Sequence, residues 1–195
     1  MPASKKLTWR KAFALLVVAA FLFLALLTRP HPGFFVAGAT LVVLGEAIRI
    51  WGTGHLEKNR RLVTSGPYAH LKNPLYLGTL AIMVGFALAA AHPREPSLPV
   101  LAGMLAVGLV AYFGVYFPKK KRVEYERLRR RFGAQAEHYI AAVPDLVPRL
   151  RPFRPAPGEE SRWRWRQVAE NSEVETALFC LAGLLLVGSK FFWQL

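Results

Sequence analysis

The sequence predicts an all-α integral membrane protein with about five transmembrane helices, a cytoplasmic amphipathic helix and a C-terminal cap. Hydrophobic residues make up 53% of its 195 residues, a larger share than a soluble domain usually carries. The apolar runs are near the ~20 residues that cross a ~30 Å hydrocarbon core, and they lack the alternation of barrel strands. The predicted spans cover residues 12–27, 33–51, 75–91, 99–117 and 177–193.

The first run resembles a signal peptide in one respect, because basic residues precede it at positions 5, 6, 10 and 11. However, it holds about sixteen apolar residues and ends in Thr28-Arg29-Pro30-His31-Pro32, without the small-x-small pattern of a cleavage site. We therefore expect residues 12–27 to be retained as the first span.

The net charge of +14 at pH 7 is placed along the chain in a way that predicts topology. Basic residues cluster before the first span, after the second span and between positions 119 and 166, whereas the short loops between them hold only Arg29 and Arg94. By the positive-inside rule, the N-terminus and both larger loops face the cytoplasm. Anionic lipid headgroups, and no nucleic acid, are the expected partners of this charge. The Ala, Arg and Pro usage is typical of a bacterial chain, which predicts a multi-pass protein of the bacterial inner membrane.

The chain is expected to form one domain over residues 1–195, since no internal repeat divides it. Its predicted cytoplasmic regions are residues 52–74 and 119–175. Within the second region, residues 123–139 have the spacing of an amphipathic helix. Trp163 and Trp165, which stand between arginines, are more typical of an interfacial anchor than of base stacking.

Polar, turn-rich residues 61–78 lead directly into the third apolar run, where a membrane protein would place its chemistry. Gly66-Pro67 and Asn73-Pro74 each favour a turn. Pro74 suits the first turn of the following helix, whose N-terminal amides carry a partial positive charge that favours a carboxylate. Lys72 would add a full charge, and Tyr76 would lie one turn into the helix. A plain cytoplasmic loop with a proline helix start would explain the same pattern.

Residues 66–78 also resemble the G-P-Y-x-x-x-R-[HN]-P-x-Y-x-G stretch of the isoprenylcysteine carboxyl methyltransferase family and its bacterial relatives. Here Lys72 and Asn73 stand where that family usually has Arg and then His or Asn. Earlier in the chain, Gly52-Thr53-Gly54 is similar to the G-x-G of phosphatidylethanolamine N-methyltransferases.

A second block, residues 124–133 followed by Tyr139 and Val143-Pro144, resembles the same family's E-E-x-x-L-x-x-x-F-G-x-x-Y-x-x-Y segment. Tyr125 occupies the second acidic position with Glu126 beside it, and the first expected tyrosine is replaced by alanine. In that family the acidic pair helps to hold the cofactor at the membrane face.

The resemblance implies an integral membrane enzyme that uses S-adenosylmethionine. It implies that three ordered blocks supply the residues that bind this cofactor. These are Gly52, Gly54, Val63, Gly66, Tyr68, Lys72, Asn73, Pro74, Tyr76, Gly78, Glu124 and Glu126.

Four further polar residues are candidates for catalysis. Glu46 and Arg49 are three residues apart in the second span, where they can pair on one helical face, and charges inside a membrane usually mark function. The alternative is a structural ion pair that snorkels to the interface. Asn171 and Glu173 precede the last span in an Asn-x-Glu segment that resembles bacterial relatives of the family, and we expect it to close the active site. A solvated helix start is the alternative there.

No metal site is predicted, because the five histidines lie apart without an H-x-x-x-H pair and Cys180 is the single cysteine. Transfer from a sulfonium needs no metal, since the protein has mainly to align a nucleophile and exclude water. The predicted function is S-adenosylmethionine-dependent methyl transfer, at the cytoplasmic membrane face, to a lipophilic or small-molecule acceptor that is a thiol, amine, carboxylate or lipid headgroup. The alternative is a non-catalytic basic scaffold that binds anionic lipids through residues 119–166.

Overall fold

The computed structural model describes residues 29–57, 61–96, 98–154 and 160–192, and their regular structure is helical throughout. The predicted first span, residues 12–27, lies outside the described residues. A short 3-10 helix covers Gly66–Ala69, and a π-helical turn covers Tyr112–Tyr116. The α-helices are α1 (Pro32–His55), α2 (Pro74–Ala89), α3 (Leu98–Ala111), α4 (Phe117–Ala142), α5 (Trp165–Glu170) and α6 (Glu173–Ser189).

Two helical segments are long and apolar enough to cross a membrane, α1 and the continuous helix Leu98–Ala142 that α3, the π-helical turn and α4 form together. Helix α2 is apolar but has only 16 residues. The all-helical class is therefore confirmed for the described residues, whereas the count of about five spans stays a prediction.

Prolines start two of the helices. Pro32 and Pro74 each lie in the first turn of a helix, where the missing N–H costs no helical hydrogen bond. The expected place of Pro74 at the start of α2 is thus confirmed. Asn73, the residue before it, is the N-cap of that helix.

Helices α1 and α2 pack with their backbones in contact. A Cβ atom added to Gly38 would overlap the backbone of Ala89 and Gly85, and one added to Gly45 would lie 2.7 Å from the Gly78 carbonyl oxygen. Small residues that let backbones approach closely are typical of helix pairs in membranes. This contact sets the distance between the C-terminal end of α1 and the N-terminal end of α2, which carry polar residues of the site.

Replacing Gly38 by alanine is expected to destabilise the protein by about 1–3 kcal/mol, because the new methyl group has no space and the two backbones must separate. Gly103→Ala in α3 is the matched control, since a Cβ atom there meets nothing within 4 Å. Thermal unfolding of both variants in one detergent measures the difference. Equal melting temperatures for the two variants would contradict the close α1–α2 contact.

Helix α4 contains the predicted amphipathic helix of residues 123–139 and extends it at both ends. At Gly133 its backbone leaves helical geometry, with φ 51° and ψ −128°, a region that glycine adopts easily. Beyond this break, Ala136 and Tyr139 pack with Leu62 and Val143 in a small apolar core. The C-terminal half of α4 is thereby fixed to the loop that follows α1.

Candidate active site

A cavity of about 430 Å³ lies between α4 and the polar segment that precedes α2. Two of the segments that resemble the family, residues 66–78 and 124–133, contribute to its walls, although they are about fifty residues apart in the chain. The lining includes seven residues that the sequence analysis assigned to the cofactor: Val63, Tyr68, Lys72, Asn73, Pro74, Tyr76 and Glu124.

The four glycines assigned to the cofactor do not line this cavity. A Cβ atom at Gly54 would overlap the Trp163 indole ring. At Gly78 it would lie 2.6 Å from the Gly45 carbonyl oxygen, and at Gly52 it would lie 3.1 Å from the Leu75 side chain. Their small size serves the packing of helices and loops behind the cavity.

Gly66 and Glu126, which were also assigned to the cofactor, lie outside the cavity lining as well. Gly66 has a φ of +60°, and a Cβ atom there would lie 2.5 Å from the His55 ring, so glycine is required at this first residue of the 3-10 helix. Glu126 is exposed on α4, where its carboxylate accepts a hydrogen bond from Arg122 Nε at 3.2 Å. Glu124 therefore faces the cavity without its acidic neighbour.

Lys72 and Asn73 join the two sequence blocks. Lys72 Nζ donates to the Ile140 carbonyl oxygen at 2.7 Å and lies 2.9 Å from Asp145 Oδ1. Asn73 Nδ2 donates to the Tyr125 hydroxyl at 3.2 Å. The Tyr125 hydroxyl in turn donates to Asp145. Tyr125 stands where the family's segment has its second acidic residue, so a hydrogen-bond donor replaces a carboxylate there.

Asp145, which sequence analysis did not single out, is the centre of this network. Burial alone would raise the pKa of its carboxyl group, but hydrogen bonds from Lys121, Tyr125 and Lys72 outweigh burial and lower the pKa to about 2. Its position directly after Val143-Pro144 was the only available signal in the sequence.

The protein is expected to lose stability on the order of 2 kcal/mol as pH falls from about 4 to about 2, because the folded-state pKa of Asp145 is depressed. This contribution is fully present above the unfolded-state pKa and disappears once the carboxylate is protonated in both states. Unfolding of the wild type and Asp145→Asn should be followed across this range. The difference between them should shrink toward zero at the acid end, and a constant difference would contradict the network.

Tyr76 links α2 to Glu124 on α4. Its hydroxyl donates to Glu124 Oε2 at 3.3 Å, and its backbone carbonyl accepts a hydrogen bond from the Tyr112 hydroxyl at 2.9 Å. The Tyr76 ring also meets the Phe117 ring edge-on, with centroids 5.6 Å apart. These contacts hold the Glu124 carboxylate at the wall of the cavity.

A buried charge cluster lies beside the cavity, between α1 and α6. Arg49 donates from Nε and Nη2 to the two carboxylate oxygens of Glu173 at 2.7 and 3.1 Å, and from Nη1 to Thr79 Oγ1 at 2.6 Å. Glu173 is 1% exposed, so it does not form a solvated helix start. The predicted pair of Glu46 with Arg49 is the longer contact, at 4.0 Å.

The cluster and the cavity share Leu75. Its carbonyl oxygen accepts a hydrogen bond from Arg49 Nη1 at 3.4 Å, and the residue lines the cavity. Three of the four predicted catalytic residues therefore lie together, and Leu75 connects them to the cavity. These three are Glu46, Arg49 and Glu173.

Asn171 lies at the end of α1 instead. Its Nδ2 donates to the carbonyl oxygens of Thr53, Leu56 and Gln167 at 3.3, 3.1 and 2.7 Å. Trp163 Nε1 donates to the Ile50 carbonyl oxygen at 3.2 Å. The segment before α6 thus covers the C-terminal end of α1, next to the loop that lines the cavity.

Within the residues that the structure describes, no group of three or more His, Cys, Asp or Glu side chains could hold a metal ion. The architecture is that of a helical membrane protein with a cavity, of a size suited to a small molecule, at one end of its apolar helices.

The chain belongs to the phospholipid methyltransferase family, whose sequence model matches residues 17–134. It is 33% identical, over 125 residues, to protein-S-isoprenylcysteine O-methyltransferase B of Arabidopsis thaliana, covering 57% of each chain. It is also 33% identical to the cobalt-zinc-cadmium resistance protein CzcN of Cupriavidus metallidurans, over 65% of this chain and 51% of the relative.

A third relative is the nickel-cobalt-cadmium resistance protein NccN of Alcaligenes xylosoxydans xylosoxydans, 30% identical over 60% of this chain and 49% of the relative. The chain spans about half the length of the curated relatives it matches. No solved structure matches it. The resemblance to this class of membrane methyltransferases, noted from the two sequence blocks, is confirmed.

Proposed function

We propose that the protein transfers a methyl group from S-adenosylmethionine to a lipophilic or small-molecule acceptor at the cytoplasmic face of a membrane. One observation carries the proposal. In a chain of this family, the two separate sequence blocks meet in a single cavity of about 430 Å³ at the N-terminal end of an apolar helix.

The residues of the cavity fit the chemistry of this cofactor, which combines a carboxylate, two cationic groups and an adenine ring. Lys72 and the N-terminus of α2 suit the carboxylate, and Glu124 suits an ammonium or hydroxyl group. Tyr76 and Phe132 offer aromatic surface to the adenine. The remaining charged lining is mainly basic: Arg61, Lys120, Arg127 and Arg131, with Glu57.

When bound, S-adenosylmethionine supplies an electrophilic methyl carbon, so the protein has to orient this carbon, exclude water and admit a nucleophile. We assign orientation to Lys72, Asn73 and Glu124. Arg49 and Glu173 act as positioning residues, because Arg49 donates to the carbonyl of Leu75, which lines the cavity, and to Thr79 one turn further along α2. Glu46 supports Arg49 from the same helix, and Asn171 fixes the end of α1.

The membrane placement that we propose has about five spans, with residues 12–27 as the first, and a cytoplasmic N-terminus. The two membrane-capable helical segments and the family support a membrane protein. The positive-inside pattern supports the orientation. The proposed location is the inner membrane of a bacterium.

Turnover is expected to favour acceptors with long apolar tails, because an acceptor that arrives between the spans gains about 0.8 kcal/mol for each buried methylene. Three additional carbons should therefore improve the apparent affinity more than tenfold, mainly through KM. A homologous series of alkyl thiols, amines and acids, assayed for methyl transfer in nanodiscs, provides the measurement.

Partitioning of each acceptor into the lipid, measured separately, should account for most of this gain. Equal efficiency of short and long members at equal total concentration would exclude access from the bilayer. Absence of methyl transfer to every member, together with absence of cofactor binding, would instead favour the basic scaffold.

A further inference from the structure

A second concave surface lies on α4 beside the cofactor cavity, and we call it the arginine groove. Its residues are spaced at i, i+3, i+4, i+7 and i+8, which places them on one face of the helix. Three of them also belong to the wall of the cavity, whereas Glu126 and Arg130 belong to the groove alone. The groove is lined by Val123, Glu126, Arg127, Arg130 and Arg131.

The groove carries an excess of positive charge. Its one carboxylate, that of Glu126, is paired with Arg122 at 3.2 Å outside the groove. Arg127 lies 4.0 Å from Glu124. Among residues 29–57, 61–96, 98–154 and 160–192, no ion-pair partner is found for Arg130 or Arg131. Adjacent guanidinium groups without partners repel each other, and a bound anion would relieve this repulsion.

The hydrogen bond between Asn73 and Tyr125 indicates how deep the groove lies relative to the membrane. Asn73 is the N-cap residue of the apolar helix α2, and its side chain donates to the Tyr125 hydroxyl. In the membrane placement proposed above, Tyr125 therefore lies level with the place where α2 enters the hydrocarbon. At 1.5 Å per residue, Arg127 to Arg131 lie about 3–9 Å further along α4. The headgroup layer is about 5–8 Å thick on each side of the bilayer, so these arginines lie at its depth.

Val123 lies at the membrane end of the groove and is 61% exposed. An apolar side chain below a group of guanidiniums matches the order of a phospholipid, whose glycerol and acyl chains lie below its phosphate. Soluble polyanions have no apolar part that would use this contact. Guanidinium groups bind phosphate oxygens through paired N–H donors.

We propose that the arginine groove binds the phosphate of an anionic membrane phospholipid, with Val123 against the apolar part of that lipid. This site is separate from the cofactor cavity and rests on the membrane placement proposed above, not on catalysis. Arg130 supplies the charge that is specific to the groove.

The test measures binding of a short-chain phosphatidylglycerol to the full-length protein in a neutral detergent by native mass spectrometry, with phosphatidylcholine for comparison. Arg130→Gln should weaken phosphatidylglycerol binding about fivefold. Glu126→Gln should strengthen it, because the groove loses its only negative charge. Arg151→Gln, which removes an exposed arginine elsewhere, is the matched control and should change nothing.

Equal weakening of phosphatidylglycerol binding by Arg130→Gln and Arg151→Gln would overturn the proposal in favour of diffuse attraction. Unchanged binding in both variants would overturn it as well. Displacement of the lipid by millimolar inorganic phosphate would also overturn it, since the ligand would then be a soluble phosphate. Binding of S-adenosylmethionine should be unchanged in Arg130→Gln. Failure of the wild type to bind that cofactor would count against the proposed function and leave the lipid result interpretable.

Discussion

Glu173→Leu is expected to destabilise the protein by about 3 kcal/mol, because it leaves the partly buried Arg49 guanidinium without its main partner. Two hydrogen bonds join Arg49 to the Glu173 carboxylate, and Glu173 is almost completely buried. Glu46, at 4.0 Å from Arg49 Nε, compensates only part of the charge. Arg49→Met should have a comparable effect, since it leaves the Glu173 carboxylate unpaired.

The double variant Arg49→Met, Glu173→Leu should recover most of the lost stability, because apolar residues of similar volume often replace a buried ion pair without net cost. Glu175→Leu is the control, since Glu175 is exposed in the same first turn of α6. Unfolding in mixed micelles is measured for the wild type and all four variants. Additive losses in the double variant would show that the two side chains do not form an isolated buried pair.

This pair also shows what the sequence could not provide. Local spacing allowed only a pairing of Arg49 with Glu46, three residues away. The stronger partner, Glu173, is 124 residues further along the chain, and its position depends on how α6 packs against α1. Asp145 was missed for the same reason, because Lys72 reaches it from the loop before α2, and Lys121 and Tyr125 reach it from α4.

Sequence blocks and hydropathy did predict the helical class, the start of α2 at Pro74 and the meeting of residues 66–78 with residues 124–133. The assignment of glycines to the cofactor is not supported by any contact with the cavity, because a glycine required for close packing looks the same in sequence as one beside a ligand. Glu124 and Glu126 could have been distinguished. Residues two apart on a helix differ by about 200° in direction, so only one of them can face the cavity.

Glu124→Gln is expected to weaken binding of S-adenosylmethionine about tenfold or more, since a hydrogen bond to a charged group contributes about 1.5–3 kcal/mol. The Glu124 carboxylate lines the cavity and is held there by Tyr76. Glu126→Gln is a matched control on the same helix, because it removes the same charge from an exposed side chain outside the cavity.

Calorimetric titration of S-adenosylmethionine into the purified full-length protein, without added metal, tests the central claim most directly. The wild type and Glu126→Gln should bind the cofactor and its demethylated product with the same affinity, and Glu124→Gln should bind both about tenfold more weakly or not at all. Equal affinity of all three proteins would place the cofactor outside this cavity, and absence of binding to the wild type would contradict the assignment of a methyltransferase.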